Sequence, residues 1–193
     1  MEIEQSFIFY GHYPVDGIKK ILEENNLSWT DFEIRQKACT DMKNTQTIPI
    51  IFDEAFFSTN FTPVYHKNYK FFQQEIEKIS EVLKNKTNGN GYLLRAILTK
   101  LFAGKDIPEH IDVANQTFKL SKRIHIPIVT NPDCIFTVGD ESINMKEGEI
   151  WEMNNDKKVH SVINGGTEDR IHLIMDWCEK TPDMVEGSQI RVN

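Results

Sequence analysis

The chain has 193 residues, with 22 Lys+Arg against 29 Asp+Glu, a formal net charge of −7 and 39% apolar residues. That is the length of one ordinary domain, long enough to bury a core without disulfide staples. The acidic balance argues against a general nucleic-acid or anionic-membrane binder, because such proteins need a basic face to displace counterions.

No run approaches the ~20 consecutive apolar residues of a membrane span. The opening residues Met1 to Gln5 lack the basic and apolar regions of a secretory signal. Cys39, Cys134 and Cys178 are widely spaced and form no CxxC. They read as reduced thiols of a cytoplasmic protein, not as a zinc or redox motif.

In chain order, Ser6 to Tyr10 is an aromatic and β-branched run that predicts a strand. Pro14-Val15-Asp16 opens a helix with Ile18, Ile21 and Leu22 at helical spacing, ending near Asn25-Asn26. A polar stretch without a clear period follows. Ile48 to Phe52 predicts a short strand, which Pro49 would push to a sheet edge. His66 to Lys86 is the clearest helix, with Phe71, Phe72, Glu75, Ile76, Ile79, Val82 and Leu83 setting a stripe at i+3 and i+4 steps. The cluster Thr87 to Gly91 ends it in a turn.

Beyond Gly91 the texture becomes β. Strand-like segments lie at 92–103, 118–130, 134–138, 142–145, 149–153, 159–164 and 170–177, separated by Gly, Asn, Asp and Pro breakers. Short strands at this spacing predict a sandwich or barrel. The fold class is therefore mainly β with helical support, α+β overall, around a jelly-roll core. The expected organisation is a single domain over 1–193. Residues 1–90 form a mixed helical and strand support, 91–178 the β core, and 179–193 a C-terminal tail.

The chemistry concentrates in the second half. Glu109-His110-Ile111-Asp112 contains His-x-Asp, and residues i and i+2 of a strand share a face. His160 opens another strand-like segment and can reach the same point in a barrel. Two His and one carboxylate on one side, with the other side open, is the arrangement of non-haem Fe(II) oxygenases. An isolated His-x-Asp is more often a surface or capping pair. Arg170, ten residues past His160, begins a strand and can carry a guanidinium beside the metal, where its planar fork suits a carboxylate. Arg123 and His125 form a second basic pair on one strand face. The alternative for Arg123 and Arg170 is a pair of ordinary surface ion pairs.

Four ordered blocks carry a resemblance: Arg123 to Pro132, Gly148 to Asn155, His160 to Asn164, and Arg170 to Trp177. Together they resemble the aspartyl/asparaginyl β-hydroxylase family, which includes bacterial proline-hydroxylase relatives, over roughly residues 92–178. The first half carries no recognisable motif. The resemblance implies an Fe(II)- and 2-oxoglutarate-dependent dioxygenase on a double-stranded β-helix, using O2 as co-substrate. It implies His110, Asp112 and His160 as iron ligands and Arg170 at the distal carboxylate of 2-oxoglutarate. Arg123 and His125 match the family's second basic pair, and Thr99 matches a hydroxyl touching the same carboxylate. Some members, including the animal peptidyl-aspartate enzymes, carry glycine at the position of Asp112. This chain keeps the carboxylate, as the proline-hydroxylase relatives do.

The expected reaction is hydroxylation of an unactivated C–H of a free or peptidyl amino acid, with Asp/Asn or Pro as first candidates, releasing succinate and CO2. The expected partner is a small-molecule or peptide substrate, with no nucleic acid and no membrane. The alternative is a non-oxygenase jelly-roll module that binds a metal or small anion. His125 could also be a third metal ligand or a core histidine. His172 is expected to pack or support the site and Trp151 to sit in the core, while Asn131 and Asn155 are read as pocket groups or, more often, as turn chemistry. Asp156 is a rival carboxylate. Phe56, Phe57 and Phe61, with Pro63 to Tyr65, are read as core or as a substrate cover.

Overall fold

A computed structural model describes residues 5–53, 62–87, 89, 91–112, 121–179 and 191–192. The first half forms β1 (Phe7–His12), α1 (Asp16–Glu24), α2 (Ile34–Ala38), β2 (Thr45–Ile51), β3 (Val64–Tyr65) and the long helix α3 (Tyr69–Lys86). Then come β4 (Gly91–Leu101), β5 (Asp106–His110), β6 (Ser121–Val129), β7 (Cys134–Val138) and β8 (Glu141–Ile143). They are followed by β9 (Glu149–Met153), β10 (His160–Asn164), β11 (Arg170–Glu179) and β12 (Arg191–Val192). The aromatic triplet Phe56, Phe57 and Phe61 lies outside the described residues.

From β4 to β11 the chain winds between two sheets. β4, β6, β9 and β11 lie in the larger one, and β5, β7, β8 and β10 form the smaller. Antiparallel winding of this kind is the jelly-roll double-stranded β-helix expected from the strand pattern. β11 runs antiparallel between β4 and β6, opposing His172 to Thr99 and to Pro127. β10 runs between β5 and β7, opposing His160 to His110.

The first half does more than support this core. β1 pairs with β9 and β2 pairs with β4, so both extend the larger sheet. β2 is not an edge strand, contrary to the reading of Pro49, because it lies between β4 and β3. A register shift between Pro49 and Ile51 tolerates the missing N–H there. The Pro49 carbonyl still finds a donor, the Asn68 side-chain amide at 3.1 Å.

Strand alternation sorts the larger sheet into two unlike faces. Ala96 and Leu98, Ile124, Ile126 and Ile128, and Leu173 and Met175 turn outward under the helices. There they meet Ile18 of α1 and Phe72, Ile76, Ile79 and Leu83 of α3, all buried. Each fully buried side chain of this kind contributes about 1.5–3 kcal/mol. The opposite face carries Thr47, Thr99, Arg123, His125, Arg170, His172 and Asp176, also buried. A jelly roll whose interior collects charges in this way is built around a site. Among the described residues, no helix is long and apolar enough to cross a membrane.

The start of β4 is tightly constrained. A Cβ on Gly91 would lie 2.4–2.6 Å from the Trp177 indole, and Trp177 is itself buried. Gly91→Ala must displace that ring and should cost about 1–3 kcal/mol. A lower Tm, read by circular dichroism, checks this.

Candidate functional site

His110 is the last residue of β5 and His160 the first of β10, and the two are register partners. Their rings lie 4.1 Å apart between centroids. Asp112 follows two residues past the strand end, held by its N–H on the Asn155 carbonyl at 3.0 Å. One ligand atom from each of His110, Asp112 and His160 falls within 4.8 Å of the others. Asp156 is not part of this group.

Backbone carbonyls orient both imidazoles. His110 Nδ1 lies 2.8 Å from the Pro108 oxygen, and His160 Nδ1 lies 3.3 Å from the Lys158 oxygen. A carbonyl only accepts, so each Nδ1 carries the proton and each Nε2 keeps a lone pair. The His110 Nε2 atom is 3.8 Å from Asp112 Oδ1. Burial, joined by His110 and Arg123, outweighs Asp112 and brings His160 down to about 4. It is therefore neutral at physiological pH.

The second Asp112 oxygen is occupied. Oδ2 accepts from Arg123 Nη1 at 2.9 Å and from Asn155 Nδ2 at 2.7 Å. Burial alone would raise this carboxyl; Arg123, His160, the Asn155 hydrogen bond and His110 outweigh it and bring it down to about 2. Arg123 also donates from Nε and Nη2 to buried Asp176. Asp176 in turn takes Arg95 at 3.3 Å. Arg123 thus lines the cavity, yet its guanidinium is engaged by carboxylates on both sides.

These residues open on a cavity of about 460 Å³, part of it open to solvent. Its walls include Arg35, Thr99, His110, Asp112, Arg123, His125, Phe136, His160 and Arg170. Arg170 is 1% exposed. Its guanidinium lies 5.6 Å over the Phe136 ring, and Nε and Nη1 have no hydrogen-bond partner. Burial pulls it down to about 10, against the pull of the Cys134 thiol, so it stays charged at neutral pH. His125 and His172 face each other with Nδ1 atoms 3.4 Å apart, both packed on Phe136. Burial, then Arg123 and Arg170, push His125 well below its usual range. Burial, Arg170 and His125 do the same to His172.

Seven residues singled out from sequence thus line one cavity: His110, Asp112, His160, Arg170, Arg123, His125 and Thr99. Three others complete the site. Of the two readings of Asn155, pocket group or turn residue, the structure takes the first: its buried side chain holds Asp112. Asp176 had no role, although it shares strand parity with Arg170 and His172 and that parity could have shown it. Arg35 sits in the stretch without a period, and no sequence signal marks it.

The sequence profile described as Aspartyl/Asparaginyl beta-hydroxylase matches residues 18–180. The chain belongs to this family. It is a hydroxylase of the 2-oxoglutarate-dependent dioxygenase class, with Fe(II) as cofactor and 2-oxoglutarate and O2 as co-substrates. No curated protein matches the sequence.

Solved structures share the fold at low identity. A 2OG-Fe(II) oxygenase family oxidoreductase from Burkholderia pseudomallei has TM-score 0.66 and 11% identity, covering 98% of this chain and 90% of that one. A prolyl hydroxylase from Trichoplax adhaerens, solved with a hypoxia inducible factor oxygen degradation domain peptide fragment, has TM-score 0.59 and 8% identity, covering 96% and 89%. A Pseudomonas putida prolyl-4-hydroxylase has TM-score 0.56 and 10% identity, covering 92% and 95%. The donor set fits the family's ion: two imidazoles with free Nε2 atoms and one carboxylate oxygen converge, with the cavity on their open side.

Proposed function

We propose that the chain hydroxylates an unactivated C–H of an amino acid, free or within a peptide, with Asp/Asn or Pro as first candidates. His110 and His160 would hold Fe(II) through Nε2 and Asp112 through Oδ1. Arg170, with the Thr99 hydroxyl, would take the distal carboxylate of 2-oxoglutarate. The observation that carries this reading is Arg170, a buried guanidinium with two unpartnered nitrogens in the triad's own cavity. Such a group is costly unless an anion arrives to pair with it.

Fe(II), when bound, supplies O2 activation: 2-oxoglutarate is oxidised to succinate and CO2, one oxygen atom entering succinate and the other the substrate as hydroxyl. The chain supplies the rest. Arg123 and Asn155 hold Asp112 Oδ2, which leaves Oδ1 as the donor. His125, neutral and backed by His172, offers the co-substrate an uncharged wall. Arg123 contributes through Asp112, since its nitrogens are engaged there. Phe136 and Val162 give the cavity wall an apolar part, which strengthens the charged contacts beside it. The peptide held by the T. adhaerens prolyl hydroxylase supports a peptidyl substrate. The free thiols of Cys39, Cys134 and Cys178 support a reducing, cytoplasmic compartment.

Protein reconstituted with Fe(II) and 2-oxoglutarate should release succinate, and His110→Ala should reduce this to background. Arg170→Met should weaken 2-oxoglutarate binding about 100-fold, the worth of two charge-assisted hydrogen bonds. Its Tm without co-substrate should change little, because two of the nitrogens removed have no partner. Undiminished turnover in either variant overturns the assignment. A screen of free amino acids and short peptides for a +16 Da product, the mass of one oxygen atom, then identifies the substrate.

A further inference from the structure

Arg35 belongs to no part of the machinery described so far. It comes from α2 in the first half of the chain, and its neighbour Gln36 docks that helix on β2 through Thr45 and Thr47. Arg35 is 8% exposed and lines the catalytic cavity. Its Nη1 donates to Thr99 Oγ1 at 3.0 Å and Thr47 Oγ1 at 3.2 Å. Its Nη2 reaches only the Met42 sulfur at 3.7 Å. Among the described residues, no carboxylate forms an ion pair with it. Burial, then Arg123 and Arg95, pull it down to about 10, which still leaves it charged at neutral pH.

The charge balance points the same way. Arg123 and Arg95 share Asp112 and Asp176. Asp53 also acts on Arg95, whereas Arg35 and Arg170 form no ion pair with a carboxylate among the described residues. A 2-oxoglutarate dianion matches the two charges that Fe(II) would add. Arg170 lies against Phe136 and Cys134, whereas Arg35 lies on Thr47 and Thr99 and feels the Arg123–Asp112 pair.

We infer that Arg35, with the Thr47 hydroxyl, forms an anion subsite that holds a carboxylate of the amino-acid substrate. This rests on the oxygenase reading and deepens it: the substrate presents a free carboxylate, at a chain end or on a side chain. Arg35 sets specificity by charge, because a carboxamide in its place leaves the buried guanidinium unanswered.

Calorimetric titration of the Mn(II)-loaded protein under argon tests this. 2-Oxoglutarate is titrated first, and its failure to bind sinks the oxygenase reading by itself. L-aspartate, L-aspartic diamide, L-proline and L-prolinamide are then titrated with and without 2-oxoglutarate, so Arg35 is judged whatever the first result. At least one carboxylate should bind the wild type about tenfold tighter than its amide, the difference expected of a charge-assisted contact. Arg35→Gln should abolish that preference, and Arg35→Lys should restore part of it. The Tm of Arg35→Gln should match or exceed the wild type, which separates lost binding from lost folding.

Three results overturn the inference. One is an Arg35→Gln variant that keeps the preference. Another is a wild type that binds neither carboxylate. The third is a loss of 2-oxoglutarate affinity as large as the loss for the amino acid, which would assign the anion to the co-substrate.

Discussion

Arg123→Met should remove about 3–5 kcal/mol of folding stability, the usual consequence of stripping one partner from a buried ion pair. The reason is local. Arg123 bridges Asp112 and Asp176, and both carboxylates lie inside the barrel. Without the guanidinium, Asp176 keeps Arg95 at 3.3 Å, but Asp112 keeps only the Asn155 amide and the two imidazoles. Urea denaturation of the metal-free protein measures the loss. A change below about 1 kcal/mol would place Arg123 in the range of an exposed pair and contradict the network.

Asn155→Ala separates orientation from charge. It removes one hydrogen bond to a carboxylate, worth about 1.5–3 kcal/mol, and leaves the Arg123 pairing intact. Its main effect should fall on the metal. Supporting groups of this kind are worth about 10–100-fold in metal affinity. Co(II) titration followed by its visible absorption should show that loss with the fold retained. Unchanged Co(II) affinity would mean that Arg123 and the backbone position Asp112 without the Asn155 amide.

The barrel was legible because its residues obey one period. Apolar Ile124, Ile126 and Ile128 alternate with Arg123 and His125, and Leu173 and Met175 alternate with His172 and Ile174. Parity alone therefore places the polar set on one face. The triad needed more than parity. Asp112 lies past the end of β5, so it reaches His110 through the Asn155 clamp and not as a strand neighbour. Pro49 misled because a bulge can carry proline inside a sheet. Arg35 was illegible for a simple reason. A five-residue helix has too few positions to show a period, and the docking of α2 depends on hydroxyls of β2, which adjoin it only in the fold.

Lowering the pH should destabilise the metal-free protein steeply below about pH 6.5, the ordinary histidine range. His125 and His172 are pushed well below that range, and His160 to about 4, in each case chiefly by burial. A group depressed in the folded state binds its proton first in the unfolded chain. Stability is then complete above the unfolded value and falls as pH drops toward the folded one. Each histidine contributes at most about 1.4 kcal/mol per pH unit, so three together approach 4 kcal/mol per unit. Typical domains hold about 5–15 kcal/mol in all, so little more than one unit should bring unfolding within reach of mild denaturant.

Asp112 does not blunt this slope. Brought down to about 2, it lends stability that is present above its unfolded value near 4 and is lost only below that. Urea midpoints at pH 7.5, 6.5 and 5.5 in the presence of chelator read the effect. His172→Gln, which removes one of the three protons from the balance, should flatten the slope by about a third. An unchanged slope in that variant would mean that His172 takes up its proton inside the fold, and that the His125–His172 pair is open to water.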